Sequence, residues 1–391
     1  MKIKRALQLG LTTSLVCGGL LWTSSAVGED DVADLLKMIA QAGPDGRGSA
    51  AARNASEQLA ARGIDVLPKL LQGIDTDNVV VANWCRVALD AIVERERKRA
   101  NPQFPVAVLQ QYAADPQRQG RARRHVLRLL DDIEPEFRET LLLKLVEDPE
   151  FRRDAIDLVL SRGDEAKARK DEDAAAREYQ RAFRNARDVR QITTAADRLK
   201  AIGVDVDIVE HMGFITRWRL LGPFDAPERS GFDTKFPPES AVDLAARYNG
   251  KDDKTISWKR YDTADRLGQV NLVLAIAPVK EAVGYAHSEF ISPRRQTVEL
   301  RCGADDNLSV WLNGEQILAR RQWLNGTRLD RFTAPAELKK GKNQILVKVC
   351  QGPQHKNPAV PNNWSMQLRF CDRTGASVGL KSTLRPLVKN D

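Results

Sequence analysis

The chain has 391 residues, 42% hydrophobic and 29% charged, a composition that excludes disordered and fibrous classes and suits a folded globular protein. At roughly 150 residues per domain the length predicts two or three domains. The net charge of +8 falls to +5 without Lys2, Lys4 and Arg5 at the extreme N-terminus, too mild for a polyanion-dedicated protein, so no nucleic-acid partner is expected.

Those three cations open a secretory signal. They are followed by an uncharged run from Ala6 to Leu21, then by Ser24, Ser25, Ala26 and Gly28, then by the acidic Glu29-Asp30-Asp31. A basic start, an apolar middle and a small-residue cleavage zone predict a signal peptide over 1–28 and a secreted or periplasmic protein. The run of 16 residues is shorter than the roughly 20 that span a bilayer. Cleavage is therefore the expectation, with retention as an anchor the alternative, and no transmembrane segment is expected after cleavage.

From about 31 to 212 the apolar residues recur with a helical period. Between Val80 and Ile92 one stripe holds Val80, Trp84, Val87, Ala88, Ala91 and Ile92. Asp148-Pro149-Glu150 carries the signals of a helix start, and Gly163 those of a stop. The basic clusters Arg95–Arg99 and Arg118–His125 have acids close by in sequence, which predicts solvated, ion-paired helix faces. Short helices separated by Pro or Gly turns predict stacked hairpins, an α-solenoid-like arrangement.

After His211 the grammar changes to short alternating strands bounded by Gly, Pro, Asn and Asp, running from Phe214–Leu221 to Ser365–Cys371. Asn313-Gly314 is a strong two-residue hairpin signal. Eight or nine such strands in about 170 residues suit an antiparallel jelly-roll sandwich. The fold class expected is thus multidomain α + β: an N-terminal α-helical repeat followed by an antiparallel β-sandwich. The Pro-rich stretch Phe224–Glu239 reads as a long loop after the first strand.

Four cysteines remain beyond the signal segment. Cys85 and Cys302 fall on apolar faces and read as buried thiols. Strand alternation leaves Cys350 and Cys371 opposite the apolar faces of their strands, a candidate disulfide on the outer face if those strands pair. No pair has the C-x-x-C spacing of a zinc site. His125, His211, His287 and His355 form no metal or catalytic motif and read as surface or capping residues. No nucleophile elbow, P-loop or dinucleotide fingerprint is present, so a non-catalytic protein is expected, with an unrecognised hydrolase as an alternative.

Three segments and two helical regions carry resemblances. Residues 31–162 resemble HEAT-type repeats. Residues 163–212, through Ala174-Ala175-Ala176 and Tyr179–Phe183, resemble a tetratricopeptide-like hairpin. Trp218–Phe224, Gly303–Gly314 and Leu338–Val349 resemble the galactose-binding-like jelly rolls of secreted bacterial proteins and glycoside hydrolases. The Asp-Asp loop before the W-x-N-G hairpin also resembles the anthrax-protective-antigen type of lectin sandwich. The resemblance spans about 214–372 and implies a sandwich over 213–374, with 375–391 a tail. It implies carbohydrate binding, with calcium held by the Asp305-Asp306 loop, and Asn307 standing where a glycine is frequent. Helical repeats imply a protein-contact platform.

The residues themselves leave two readings open at each position. Asp305, Asp306 and Asn307 offer hard oxygen donors for calcium, or simply a turn. Trp311 and Asn313 point away from Leu308, Val310 and Leu312 in their strand, so Trp311 stacks on a sugar ring or packs against protein. Trp323, in a polar loop, has the same two readings. Carbohydrate recognition by a non-catalytic exported protein is the function expected, and a structural or assembly protein of the cell envelope with a protein-docking sandwich is the alternative.

Overall fold

The computed structural model describes residues 27–323, 326–357 and 359–387. The predicted signal peptide lies outside them, apart from its last two residues. The chain divides between Arg138 and Glu139 into two compact units. No helix among the described residues is long and apolar enough to cross a membrane.

The first unit is helical: α1 (Val27–Ala40), α2 (Ser49–Ala60), α3 (Leu67–Ile74), α4 (Val79–Arg97), α5 (Val106–Ala114), α6 (Gly120–Asp131) and the start of α7 (Pro135–Lys144). Neighbours in sequence pack together, α1 on α2, α3 on α4 and α5 on α6. Asn78 caps α4, its Oδ1 accepting from the Val80 and Val81 amides. The buried face of α4 is Val81, Cys85, Ala88, Leu89, Ile92 and Val93. The predicted stripe is therefore rotated, with Val87 52% exposed. The set Val81, Cys85, Leu89, Val93 at i, i+4, i+8, i+12 is a second apolar row beside the predicted one, and packing on α2 and α3 selects it. In the basic clusters Arg118 forms ion pairs with Asp75 and Asp115 and Arg97 with Asp132, and His125 hydrogen-bonds with Asp90.

The second unit begins with the rest of α7, then α8 (Arg152–Ala168), α9 (Glu172–Asn185), α10 (Val189–Lys200) and α11 (Ile208–Met212). Asp148 accepts from the amides of Glu150 and Phe151 in a turn that leads into the helix, which begins at Arg152, three residues later than the Pro149 start predicted. Gly163 does not end its helix, and α8 continues to Ala168. A Cβ at Gly163 would lie 2.4 Å from Cε1 of Tyr179, so this glycine is where the α9 ring seats against α8. Tyr179 completes the contact by donating to Asp164 Oδ1 at 2.8 Å.

The strands follow as β1 (Arg217–Asp225), β2 (Arg247–Asn249), β3 (Thr255–Ser257), β4 (Lys259–Asp262), β5 (Val270–Asn271), the one-turn α12 (Leu272–Ala275), β6 (Ala282–Ser292), β7 (Gln296–Asp305), β8 (Leu308–Leu312), β9 (Glu315–Arg320), β10 (Phe332–Leu338), β11 (Gly341–Gln351), β12 (Ser365–Cys371) and β13 (Lys381–Ser382). One antiparallel sheet runs β4-β1-β6-β11-β8-β9 with β13 on β6; the other runs β10-β7-β12-β5. Between them lies a core in which Trp218 and Trp364 are fully buried, as their alternation predicts. Asn313 and Gly314, with φ of 54° and 88°, turn β8 into β9 as the hairpin signal requires.

Some expectations differ. The apolar segment Val270–Ile276, whose pattern predicts a strand, is extended only to Asn271, whose Oδ1 takes the Leu274 amide and starts α12. Strand β10 carries no strong sequence signal, because its inward residues include the small Ala334 and Ala336 and its centre is Pro335. It pairs only with β7 and so lies at an edge, where proline is tolerated. The Cys350–Cys371 disulfide is not formed: both thiols are free and buried, and β11 and β12 belong to opposite sheets. Each cysteine pairs its backbone with a different neighbour, Cys350 with Val283 and Cys371 with Glu299.

The Pro-rich stretch is the start of a longer strap. Residues 226–258 lie against the outer face of the larger sheet and bury a second apolar cluster of Phe224, Ile256, Val283, Tyr285 and Leu346. Phe224 stands edge-on to Tyr285, with ring centroids 5.7 Å apart. The strap gives that sheet two covered faces over part of its width.

Candidate functional site

The Asp305-Asp306 loop is built where β7 ends and β8 begins. Its backbone is tied to β11: the Asp306 amide donates to the Cys350 carbonyl and the Cys350 amide to the Asn307 carbonyl, each at 2.9 Å. Two further amides hold the carboxylates. Gly326 donates to Asp305 Oδ2 at 2.8 Å and Gly352 to Asp306 Oδ2 at 2.9 Å. Gly303 permits the approach of the 326–330 segment, since a Cβ there would sit 2.0 Å from the Arg328 carbonyl oxygen. The Asp305–Asp306 peptide is cis.

The two carboxyl groups hydrogen-bond to each other. Burial first, and then its contact with the Asp306 carboxyl, push the Asp305 pKa up to about 7 against the pull of the Gly326 amide. Burial lowers the pKa of Lys280, opposed by the charges of Asp306 and Asp305. Because native Asp305 holds its proton to a higher pH than an unfolded aspartate, the native state binds more protons from about pH 4 to about pH 7. Stability from this group is present below that window and is lost as pH rises through it. In chelator, thermal unfolding should show a midpoint that falls from pH 5 to pH 8, and Asp305→Asn should remove that part of the slope; an identical slope in the variant would refute the assignment.

Asn307 is fully buried and belongs to the frame of the loop. Its Oδ1 accepts the Gln322 amide, and Gln322 Nε2 donates to the carbonyls of Ala304 and Asp306. Asn307 Nδ2 and Gln322 Oε1 are buried without protein partners. Trp323 is half-buried. It lies against Gly352, where a Cβ would meet Asp306 Oδ2 at 2.9 Å and the Trp323 ring at 3.1 Å, and the Arg229 guanidinium sits 4.9 Å from its ring centroid. Trp323 therefore joins Asp305, Asp306 and Asn307 in one place.

Trp311 and Asn313 lie elsewhere on the sheet. Asn313 is committed to the turn: its Nδ2 donates to Asn343 Oδ1 and its Oδ1 accepts the Gln344 amide. Trp311 is half-buried on the outer face, packed against the cluster beneath the strap. It lines a cavity of about 120 Å³ with His287, Gln344, Leu346, Glu239 and Ser240. His287, expected at the surface, is buried there because the strap covers its strand; alternation alone carries no sign of that cover.

The pair Asp305-Asp306 offers the hard oxygens that calcium prefers. Two adjacent carboxyls in contact, that of Asp305 buried and that of Asp306 partly so, mark a place where a cation would relieve their repulsion, so the residues fit such an ion. Among the described residues no third His, Cys, Asp or Glu joins the pair. The remaining ligands of a six- to eight-coordinate ion would be carbonyls, water or ligand hydroxyls.

No protein-family model and no curated protein matches the chain. Among solved structures it is similar to a PA14 sugar-binding domain from an RTX adhesin, at 12% identity and TM-score 0.20, over 43% of this chain and 91% of that one. It is similar to a β-glucosidase from Kluyveromyces marxianus at 12% identity and TM-score 0.25, over 39% of this chain and 16% of that one. For a β-glucuronidase from Ruminococcus gnavus the values are 16% identity and 0.24, over 40% of this chain and 28% of that one. The chain thus spans well under a third of either glycosidase, and at these scores the likenesses carry no argument.

Proposed function

We propose that this is an exported, non-catalytic binding protein whose sandwich recognises carbohydrate at the Asp305-Asp306 loop, with its helices as a protein-contact platform. The observation that carries this is the carboxyl pair in mutual contact, Asp305 buried and Asp306 half-buried, beside half-buried Trp323. Calcium held by Asp305 and Asp306 would supply a Lewis-acidic anchor for sugar hydroxyls. Asn307, Gln322 and the Gly326 and Gly352 amides orient the two carboxylates. Arg229 lies over the Trp323 ring, so a sugar stacking on that face would displace it.

A hydrolytic role for this pair is disfavoured by geometry. Glycosidase carboxyls stand roughly 5–9.5 Å apart to accommodate the sugar or a water, and these two are in hydrogen-bond contact.

A glycan array of the purified protein tests the reading. Binding in calcium that weakens tenfold or more with chelator or with Asp306→Asn is expected; no binding under either condition would overturn it. A second reading, an assembly protein of the cell envelope whose sandwich docks on protein, is favoured by Leu274, an apolar side chain 81% exposed on α12.

A further inference from the structure

The cavity beneath the strap has the composition of a binding subsite. Its floor is His287, 1% exposed, with neither ring nitrogen in hydrogen-bonding geometry with a protein partner. A buried polar group without a partner costs about 1–3 kcal/mol, so such groups are normally satisfied. One wall is the half-buried indole of Trp311, and Gln344, Leu346, Gly314 and strap residues Pro238–Val242 complete the lining. Gln344 shares the cavity, and its exposed side chain acts on the imidazole and raises its pKa against burial without reaching good hydrogen-bonding geometry at either ring nitrogen.

The charged groups nearby are already engaged. Glu239 Oε1 accepts from Lys348 Nζ, Tyr285 Oη and the Phe236 amide. Glu289 pairs with Lys342 and Arg219. Burial lowers the His287 pKa, which keeps the imidazole neutral: one nitrogen donates and the other accepts. A hydroxyl group, which also donates and accepts, matches that pair. The indole and Leu346 match C–H surface. The volume of about 120 Å³ equals roughly four waters at about 30 Å³ each, too small for a whole oligosaccharide.

We propose that this cavity is a second sugar subsite, admitting one hydroxylated edge of a neutral saccharide against Trp311 with its hydroxyls on His287. It rests on the carbohydrate reading above and extends it to the outer face of the larger sheet beneath the strap. The subsite selects neutral over anionic sugars, because its lining contains no Lys or Arg and the nearby Arg219 and Lys342 pair with Glu289.

Saturation-transfer NMR on the purified protein with galactose, glucose, mannose and glycerol as probes, in calcium and in chelator, tests the proposal. Two variants address the cavity by different routes: His287→Phe replaces the polar floor, and Ser240→Trp blocks the mouth from an exposed strap position without touching the core. Saturation transfer that survives chelator and falls tenfold or more in both variants is the expected result. If His287→Phe fails to fold, the Ser240→Trp comparison decides alone. Transfer lost in chelator or in Asp306→Asn but unchanged in the cavity variants overturns the subsite and leaves the carbohydrate reading standing. No transfer from the protein to any probe, with no signal on the glycan array, overturns both.

Discussion

Lys348→Met is expected to destabilise the second unit by about 3 kcal/mol, the lower end of what removal of one partner from a buried ion pair costs. Lys348 is 1% exposed on β11. Its Nζ donates to the Thr234 carbonyl at 2.6 Å, to Glu239 Oε1 at 2.7 Å and to the Phe232 carbonyl at 3.4 Å, and it sits 5.4 Å from the Phe236 ring centroid. All these partners belong to the strap, so one ammonium pins the strap to the sheet. Methionine fills much of the volume and supplies none of the donors, leaving the Glu239 carboxylate without its counter-charge, held only by Tyr285 Oη and the Phe236 amide, and the Thr234 and Phe232 carbonyls without their donor. At roughly 2–4 °C per kcal/mol for a unit of this size, the thermal midpoint should fall by roughly 6–12 °C. Protease cleavage should appear first within 226–258. Adding Glu239→Gln should recover part of the loss, because the stranded charge is then removed. A midpoint within a degree of wild type would show that the strap is held by its apolar contacts alone.

Arg369→Lys should cost nearly as much as Arg369→Ala, each by roughly 3 kcal/mol or more, because the site uses guanidinium geometry and not charge alone. Arg369 on β12 is 1% exposed. Its Nε and Nη2 grip both oxygens of Asp330, while Nη1 donates to the Met212 carbonyl at 3.0 Å and the Gly375 carbonyl at 2.9 Å. Its guanidinium also lies 5.9 Å from the Phe214 ring centroid. One planar group thus satisfies the end of α11, the loop before β10 and the turn after β12. A lysine offers a single ammonium and cannot reach those acceptors in one plane. Urea unfolding gives the stability, and hydrogen exchange at the Met212–Phe214 amides reports the local junction. A lysine variant as stable as wild type would refute the assignment.

How much of the candidate site was legible varies by residue. Asp305 and Asp306 stood out because adjacent acids before a W-x-N-G hairpin are conspicuous, and they do form the loop at the end of β7. Asn307 is the reverse case: a third oxygen donor in sequence, yet in the fold its side-chain oxygen accepts the Gln322 amide. Trp311 was correctly placed on the outward face by alternation. That its neighbours there would be a buried histidine and a folded strap was not legible, since burial of an outer face depends on what crosses it. Glu239 gave no motif because its role comes from contacts across 46 and 109 residues of chain, and His287 gave none because the strap that covers it is distant in sequence.

Periodicity, composition and turn chemistry determined the parts that depend on near neighbours: helices before about 212, strands after it, the Asn313-Gly314 turn, and buried Trp218 and Trp364. These follow from side-chain direction within one element, which repeats every 3.6 or 2 residues. The tertiary structure decided which of two apolar rows on α4 is buried and why Gly163 lies inside α8. It also placed Cys350 and Cys371 in opposite sheets and laid residues 226–258 over the larger one. Each outcome turns on a partner far away in the chain, whose position no local spacing encodes. The carboxyl pair and the cavity at His287 lie on either side of that line: the first is two adjacent residues, the second exists only where the strap meets the sheet.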